Sequence, residues 1–314
     1  MGTKYNRHGK APEGRLFYAA DRTEQGACIP ADVCVGGASA FADHGTVLAV
    51  QPTMPQNHAD ELPAQEPSYR PAASESLTMA IIGKNASGGA SDFLLIRFNP
   101  QYGQVPLAVL PPETLVPYKG ETMTLARAWA RGGGNGVKQA LSERFGITVD
   151  RYAALSRDIF IRIADKTGTV VFEMPYAVSY HSDGYDINIP AGRRRLDGRD
   201  VADLFAAPSL EGGPVERAAL LGELTAAIVN QNIDSAGKDV SPGLFKFIVN
   251  LVDTDLSYVD FELRRDAADF LSQLGDISVA GSLAPAGTLM SDSLSFELSE
   301  DYVSTVRKYF GASS

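Results

Sequence analysis

LTMAIIGKNASGGASDFLLIRFNP, residues 77–100, carries the reading on which the architecture turns. Leu77–Lys84 is a compact apolar run, Asn85–Ala90 a Gly/Ser loop, and Asp92–Pro100 a second apolar run stopped by Asn99-Pro100. Apolar runs this short, bounded by turn residues, read as buried strands. Val105–Val109 follows as a third strand into Leu110 and the breaker Pro111-Pro112. Beyond it the period lengthens. Leu125–Arg131 reads as a short helix ended by Gly132, Gly133 and Gly134; Val137–Phe145 is a second, with Val137, Ala140, Leu141 and Phe145 on one face and Gly146 at the C-cap. Strands at Asp150–Leu155, Val170–Met174, Ile187–Ile189 and 276–283 alternate with helices at Arg157–Ala164, Arg199–Phe205, 215–231, 242–252, 257–273 and Asp301–Phe310. This alternation predicts an α/β class, with a mixed central β-sheet flanked by helices on both faces.

Working outward, 78–311 is the folded domain and 1–77 a mostly irregular N-terminal arm. Pro52, Pro55, Pro63, Pro67 and Pro71 mark its last third as linker. The 314 residues carry a net charge of −10, which argues against a nucleic-acid binder, since phosphate contacts need concentrated Lys and Arg. Two cysteines exclude a disulfide-dense scaffold. Cys28 and Cys34 could close a small loop in an oxidising compartment and are ordinary thiols in a reducing one. No stretch is apolar enough to span a bilayer.

Few motifs carry chemistry on their own. Gly83–Gly89 (GKNASGG) resembles a phosphate cradle, but Lys84 sits at the wrong end for a Walker loop, and a plain turn between strands is the competing reading. Arg193, Arg194, Arg195 and Arg199 form the densest basic cluster, either a solvated turn or a clamp for phosphate or pyrophosphate. Asp92, Glu113, Asp165 and Asp183 stand at strand ends or loops where a hard cation takes carboxylates. No HExxH or GxSxG occurs, and His181 in SYHSDGYD reads as an exposed hairpin residue.

In their order, however, these segments resemble the LytR-CpsA-Psr domain, over residues 78–311. Ala90-Ser91-Asp92-Phe93 is similar to the end of that family's RSDT loop, and Leu110–Thr114 (LPPET) to IPRDT. LARAWARGG (125–133) resembles the INHAYAYGG helix, and GITVDRYAALSRDIFIRIADKTGTVVFEMP (146–175) the run GI-x-hDHYVVV-x-FxGFxxLVDALGGVxVxVP. INIPAGRRRLDGRDVADL (187–204) is close to INLPAGKQxLDGxxALxY, GPVERAA (213–219) resembles GRIERQQ, and Thr254–Ser257 matches TDLS.

The resemblance implies a membrane-anchored, extracytoplasmic protein at the cell membrane and cell wall of a Gram-positive bacterium, its anchor lying outside these residues. Its implied partners are a glycopolymer linked to a polyprenyl (pyro)phosphate carrier and peptidoglycan, to which the polymer is transferred. Mg²⁺ is the implied cofactor. Residue by residue, Asp92 and Glu113 take the metal, and Asp92, Glu113 and Arg217 the catalytic roles. Arg127, Arg131, Arg193 and Arg217 are the candidates for pyrophosphate. Positions at which the pattern holds arginine carry Ala90, Pro112, Ala206, Pro208 and Pro214. The expectation is therefore weakened or lost catalysis, the alternative being a non-catalytic polyprenyl- or glycan-binding or scaffold module of the envelope. A prenyl slot would draw on Val137–Phe145, Phe160–Ile163 and Leu220–Ile228, stripes that otherwise simply pack shut.

Overall fold

The two runs that open the domain pair with each other. In the computed structural model, β1 (Leu77–Lys84) and β2 (Ala90–Phe98) are antiparallel, with Leu77 facing Phe98 and Gly83 facing Asp92. The described residues are 69–182, 185–207, 210, 212–234, 242–274, 279–290 and 294–311. They fall in the compact unit Pro63–Ser314. Cys28, Cys34 and Asp183 lie outside them.

After β2 come β3 (Val105–Leu110), the hairpin β4 (Leu115–Tyr118) and β5 (Glu121–Thr124), and helix α1 (Leu125–Phe145). Next are β6 (Arg151–Ser156), α2 (Arg157–Thr167), β7 (Val170–Met174), the hairpin β8 (Val178–Ser182) and β9 (Tyr185–Ile189), and β10 (Gly192–Leu196). The helices α3 (Gly198–Ala206), α4 (Pro214–Asp234) and α5 (Pro242–Val249) precede β11 (Asp253–Thr254), α6 (Tyr258–Glu262) and α7 (Arg265–Ser272). The described elements end with β12 (Ala280–Ser282), the hairpin β13 (Gly287–Met290) and β14 (Ser295–Leu298), and α8 (Glu300–Tyr309).

Six strands form the central sheet in the order β11-β6-β1-β2-β3-β12. It is mixed, because β6 runs parallel to β1 and β12 parallel to β3 while β2 is antiparallel to both neighbours. Side chains alternate across it, as a strand requires. Ile82, Phe93 and Leu95 enter a core with Val137, Leu141 and Phe145 of α1 and Val303 and Val306 of α8. Leu94, Leu107 and Val109 enter the other core, with Leu220, Leu221 and Leu224 of α4 and Val201 and Leu204 of α3. Helices thus cover both faces.

The triple glycine explains itself locally. A methyl at Gly132 would overlap the Tyr118 hydroxyl, and one at Gly134 the Tyr152 ring. Gly133 has φ 56° and ψ −149°, so it breaks α1 into the two helices expected from the sequence. Gly198 serves closeness rather than torsion, since a side chain there would strike the Ala164 methyl where α3 meets α2.

Other expectations are corrected. Arg193–Arg195 are not a turn but the middle of β10, paired with Val171–Glu173 of β7, because Gly192 takes the left-handed turn that starts the strand. The single helix expected over 257–273 is α6 and α7, broken where the Arg264 guanidinium donates to the carbonyls of Asp260 and Ser76. His181 is exposed in the β8–β9 hairpin as expected.

Asp260 anchors the TDLS element. Its carboxylate accepts from Arg151 Nε and Nη2 at 2.9 and 3.0 Å and from the Ser257 amide and hydroxyl at 2.9 and 2.7 Å. Burial alone would raise its pKa, but the Arg151 and Ser257 bonds outweigh it and hold the group at about 2. A carboxylate lowered on folding stabilises fully above its unfolded pKa of about 4. That stability is expected to fall away as the pH drops from about 4 towards about 2. Asp260→Asn should flatten this part of the acid-unfolding curve followed by circular dichroism. Gly133→Ala is expected to cost about 1–3 kcal/mol, because its backbone region is open to glycine almost alone. Urea unfolding should show a lower midpoint at unchanged slope.

Candidate functional site

One edge of the sheet collects chemistry. The register sets Gly83 opposite Asp92, Lys84 beside Ser156 at the end of β6, and Phe93 opposite Leu110 at the end of β3. The carboxyl ends of β1, β3 and β6 therefore lie together with the start of β2. In open α/β sheets that edge is where ligands bind.

Asp92 points to the α4 side, in step with Leu94. There Arg217, in the first turn of α4, donates from Nη2 to Asp92 Oδ1 at 2.6 Å. The same nitrogen reaches the Phe205 carbonyl at 2.5 Å, and Nε the Ala207 carbonyl at 2.8 Å. These carbonyls end α3, where helices leave acceptors unsatisfied and favour a cation. The Ser91 hydroxyl donates to Asp92 Oδ2 at 2.8 Å. Both charged side chains are 9% exposed, so each is buried and neutralised by the other.

The remaining sequence candidates divide. Glu113 follows β3 at the same edge, and its Oε2 is buried without a hydrogen-bond partner among the described residues. Arg127 is brought there too, as the exposed residue of the first turn of α1, where the Ala126 amide donates to the Pro112 carbonyl. Arg131 is one turn further on and pairs with Glu121 at 2.5 Å, both exposed. Arg193 is not brought to the pair. It lies on β10, whose partner β7 is tied through Val171 to Gln231 at the opposite end of α4, about 20 Å from Arg217 at 1.5 Å per residue.

The Gly83–Gly89 loop is no cradle. The amides of Ser87 and Gly89 donate to Asn85 Oδ1 at 3.1 and 3.0 Å and that of Gly88 to the Asn85 carbonyl, so the turn consumes its own donors. The Trp129 indole closes it by donating to the Gly88 carbonyl at 3.2 Å.

Sequence reasoning missed Arg157 and Asp203. Arg157, directly after β6, donates from Nε to Asp203 Oδ1 at 2.8 Å and from Nη2 to the same oxygen. Its place at the end of a parallel strand was the available signal.

The other end of this layer is apolar. A cavity of about 400 Å³ is lined by Phe98, Phe160, Ile163, Val201, Ile228 and Leu271, among others. Phe98 is about 20 Å along β2 from Asp92, and Ile228 about 17 Å along α4 from Arg217, at the usual rise per residue. So α4, packed over β3 and β12, has the ion pair at one end and the cavity at the other, with Leu94, Leu221 and Leu224 packed between. Val137–Phe145, by contrast, packs shut in the opposite core.

The sequence profile of the LytR_cpsA_psr family matches residues 47–260. No curated protein matches by sequence. Among solved structures, the fold is similar to a protein of Eubacterium siraeum described as a transcription regulator, at TM-score 0.69 and 14% identity over 86% of this chain and 99% of that one. It is similar to TagV of B. subtilis at TM-score 0.60 and 16% identity, over 75% and 95% of the two chains. The structure titled TagT bound to LIIa-WTA gives TM-score 0.57 and 17% identity, over 75% and 89%.

Removing one partner of a buried pair strands the other charge, at a cost of about 3–5 kcal/mol. Asp92→Ala is therefore expected to lower the melting temperature sharply. Asp92→Ala with Arg217→Met should recover much of that loss, as calorimetry of the three proteins would show.

Proposed function

The chain belongs to the LytR-CpsA-Psr family, and on that premise we propose that its domain binds a glycopolymer on a polyprenyl (pyro)phosphate carrier at the outer face of a Gram-positive cell membrane. The observation that carries the reading is the layer between α4 and the sheet, with a buried ion pair and the other polar groups of the sheet edge at one end and an apolar cavity at the other, about 20 Å apart. A prenyl carrier has this polarity, an anionic head on an apolar tail. Membrane attachment is part of the proposal and rests on the family, as no helix among the described residues is long and apolar enough to cross a bilayer.

Transfer of the polymer to peptidoglycan is the family's chemistry, and we assign it to this chain in weakened form. The step needs positive charge where negative charge collects on the departing phosphate. Ala90, Pro112, Ala206, Pro208 and Pro214 offer none, and Arg217 is already spent on Asp92. This mutual neutralisation is also the observation favouring the second reading, a non-catalytic carrier-binding module.

The residues fit Mg²⁺ poorly. Glu113 offers an orphaned carboxylate oxygen, which a cation would satisfy, but Asp92 would have to exchange Arg217 for the ion. Among the described residues no group of three His, Cys, Asp or Glu side chains converges.

Titration calorimetry with geranylgeranyl pyrophosphate tests the binding, and release of labelled glycopolymer onto purified peptidoglycan tests the transfer. Ile228→Trp, which fills the cavity, is expected to weaken the prenyl ligand about tenfold, the worth of roughly two buried methylenes. Inorganic pyrophosphate should be unaffected. Equal loss for both ligands, or none for either, would mean that the cavity does not hold the prenyl tail.

A further inference from the structure

We propose that Arg157 is a phosphate-binding residue of this site, supplied by this chain from the start of α2. The proposal rests on the carrier-binding reading above and adds to it the group that meets the anionic head.

Position is the first argument. Arg157 directly follows Ser156, which lies beside Lys84, and Gly83 faces Asp92 across the next strand. Two strand spacings thus separate it from Asp92, about 10 Å. Asp203, which holds Arg157, is two residues before Phe205, whose carbonyl holds Arg217. Both guanidinium groups converge on the last turn of α3.

Burial separates their roles. The Arg217 side chain is 9% exposed and gives its donors to Asp92, Phe205 and Ala207. The Arg157 side chain is 30% exposed, while Asp203 beneath it is 10% exposed. A buried carboxylate therefore fixes an accessible guanidinium, which spares a bound phosphate the entropy of ordering it. Guanidinium is also the group whose planar fork matches phosphate oxygens.

Sequence supplies the third argument. In GITVDRYAALSRDIF, Arg157 stands where the resembling pattern, VVV-x-FxGF, has phenylalanine, and Ala206 and Pro208 stand where that pattern has arginines. Arg157 thus brings a guanidinium to this edge, held from below by Asp203 and with the exposed Asp158 carboxylate 3.8 Å from its Nη1. The competing account is that Arg157 and Asp203 merely tie α2 to α3.

The test compares geranylgeranyl pyrophosphate with geranylgeraniol, which lacks the charged head, by titration calorimetry on the full chain. Arg157→Gln with Asp203→Asn removes both charges together and strands neither. It is expected to melt close to the parent protein and to lose about 10- to 100-fold in affinity for the pyrophosphate, the worth of a charge-assisted contact, with geranylgeraniol unchanged. Arg157→Lys, which keeps the charge and loses the fork, should fall in between and decides the matter if the double variant does not fold. Pyrophosphate affinity unchanged in either variant would make the pair a structural tie and overturn the proposal. Parent protein that binds both ligands equally would also overturn it, leaving the apolar cavity in place. Parent protein that binds neither would overturn it together with the carrier-binding reading.

Discussion

A carboxylate on a sheet and a guanidinium on a helix, both withdrawn from water, fix how the α4 layer sits on the strands. Asp92 alone would leave a buried charge at the start of β2, and Arg217 alone would leave another in α4. Joined, they cancel, and the remaining guanidinium donors close the end of α3 through Phe205 and Ala207. One contact thereby fixes a strand, the end of one helix and the start of the next. Buried pairs of this kind add little net stability against an apolar substitute but penalise any arrangement that separates them. Their worth here is in register: a slide of α4 by one turn would unpair both.

Much of this fold was legible because apolar period and punctuation agreed. Leu77–Lys84 and Asp92–Phe98 are short, apolar and bounded by turn residues, and nothing in their surroundings overrides that. The break at Gly133 was legible for the same reason. The β4–β5 hairpin was not, since its turn places Lys119 at φ 53° before Gly120, a torsion lysine seldom takes, and Pro117 sits within β4. β10 was hidden by three arginines, which look like a solvated turn; in a two-stranded sheet the exposed face of an edge strand is where such residues belong.

The site was legible in part. Asp92 and Arg217 read from the sequence as separate ligands, one for metal and one for phosphate, because they stand 125 positions apart and no spacing rule joins them. Their union is a tertiary fact. Arg157 escaped for a different reason: it lies inside a run whose apolar residues signal a helix, and only the sheet order shows that this helix begins at the functional edge. The family's sequence signal survives most clearly in turns and close contacts, as at Gly198 against Ala164. Such positions resist change because no other side chain fits.

Two consecutive carboxamides near the end of α4 act as surrogate strand partners. Asn230 exchanges hydrogen bonds with both the amide and the carbonyl of Ala280, at 2.8 and 3.0 Å, and Gln231 does the same with Val171, at 2.8 Å each. β12 is the last strand of the central sheet, and β7 belongs to a separate two-stranded sheet. An edge strand whose backbone groups are already engaged is a poor template for a second chain. The helix therefore works as an insulator at one position on each of two short β edges, occupying the amide and carbonyl that a neighbouring strand would otherwise pair with there.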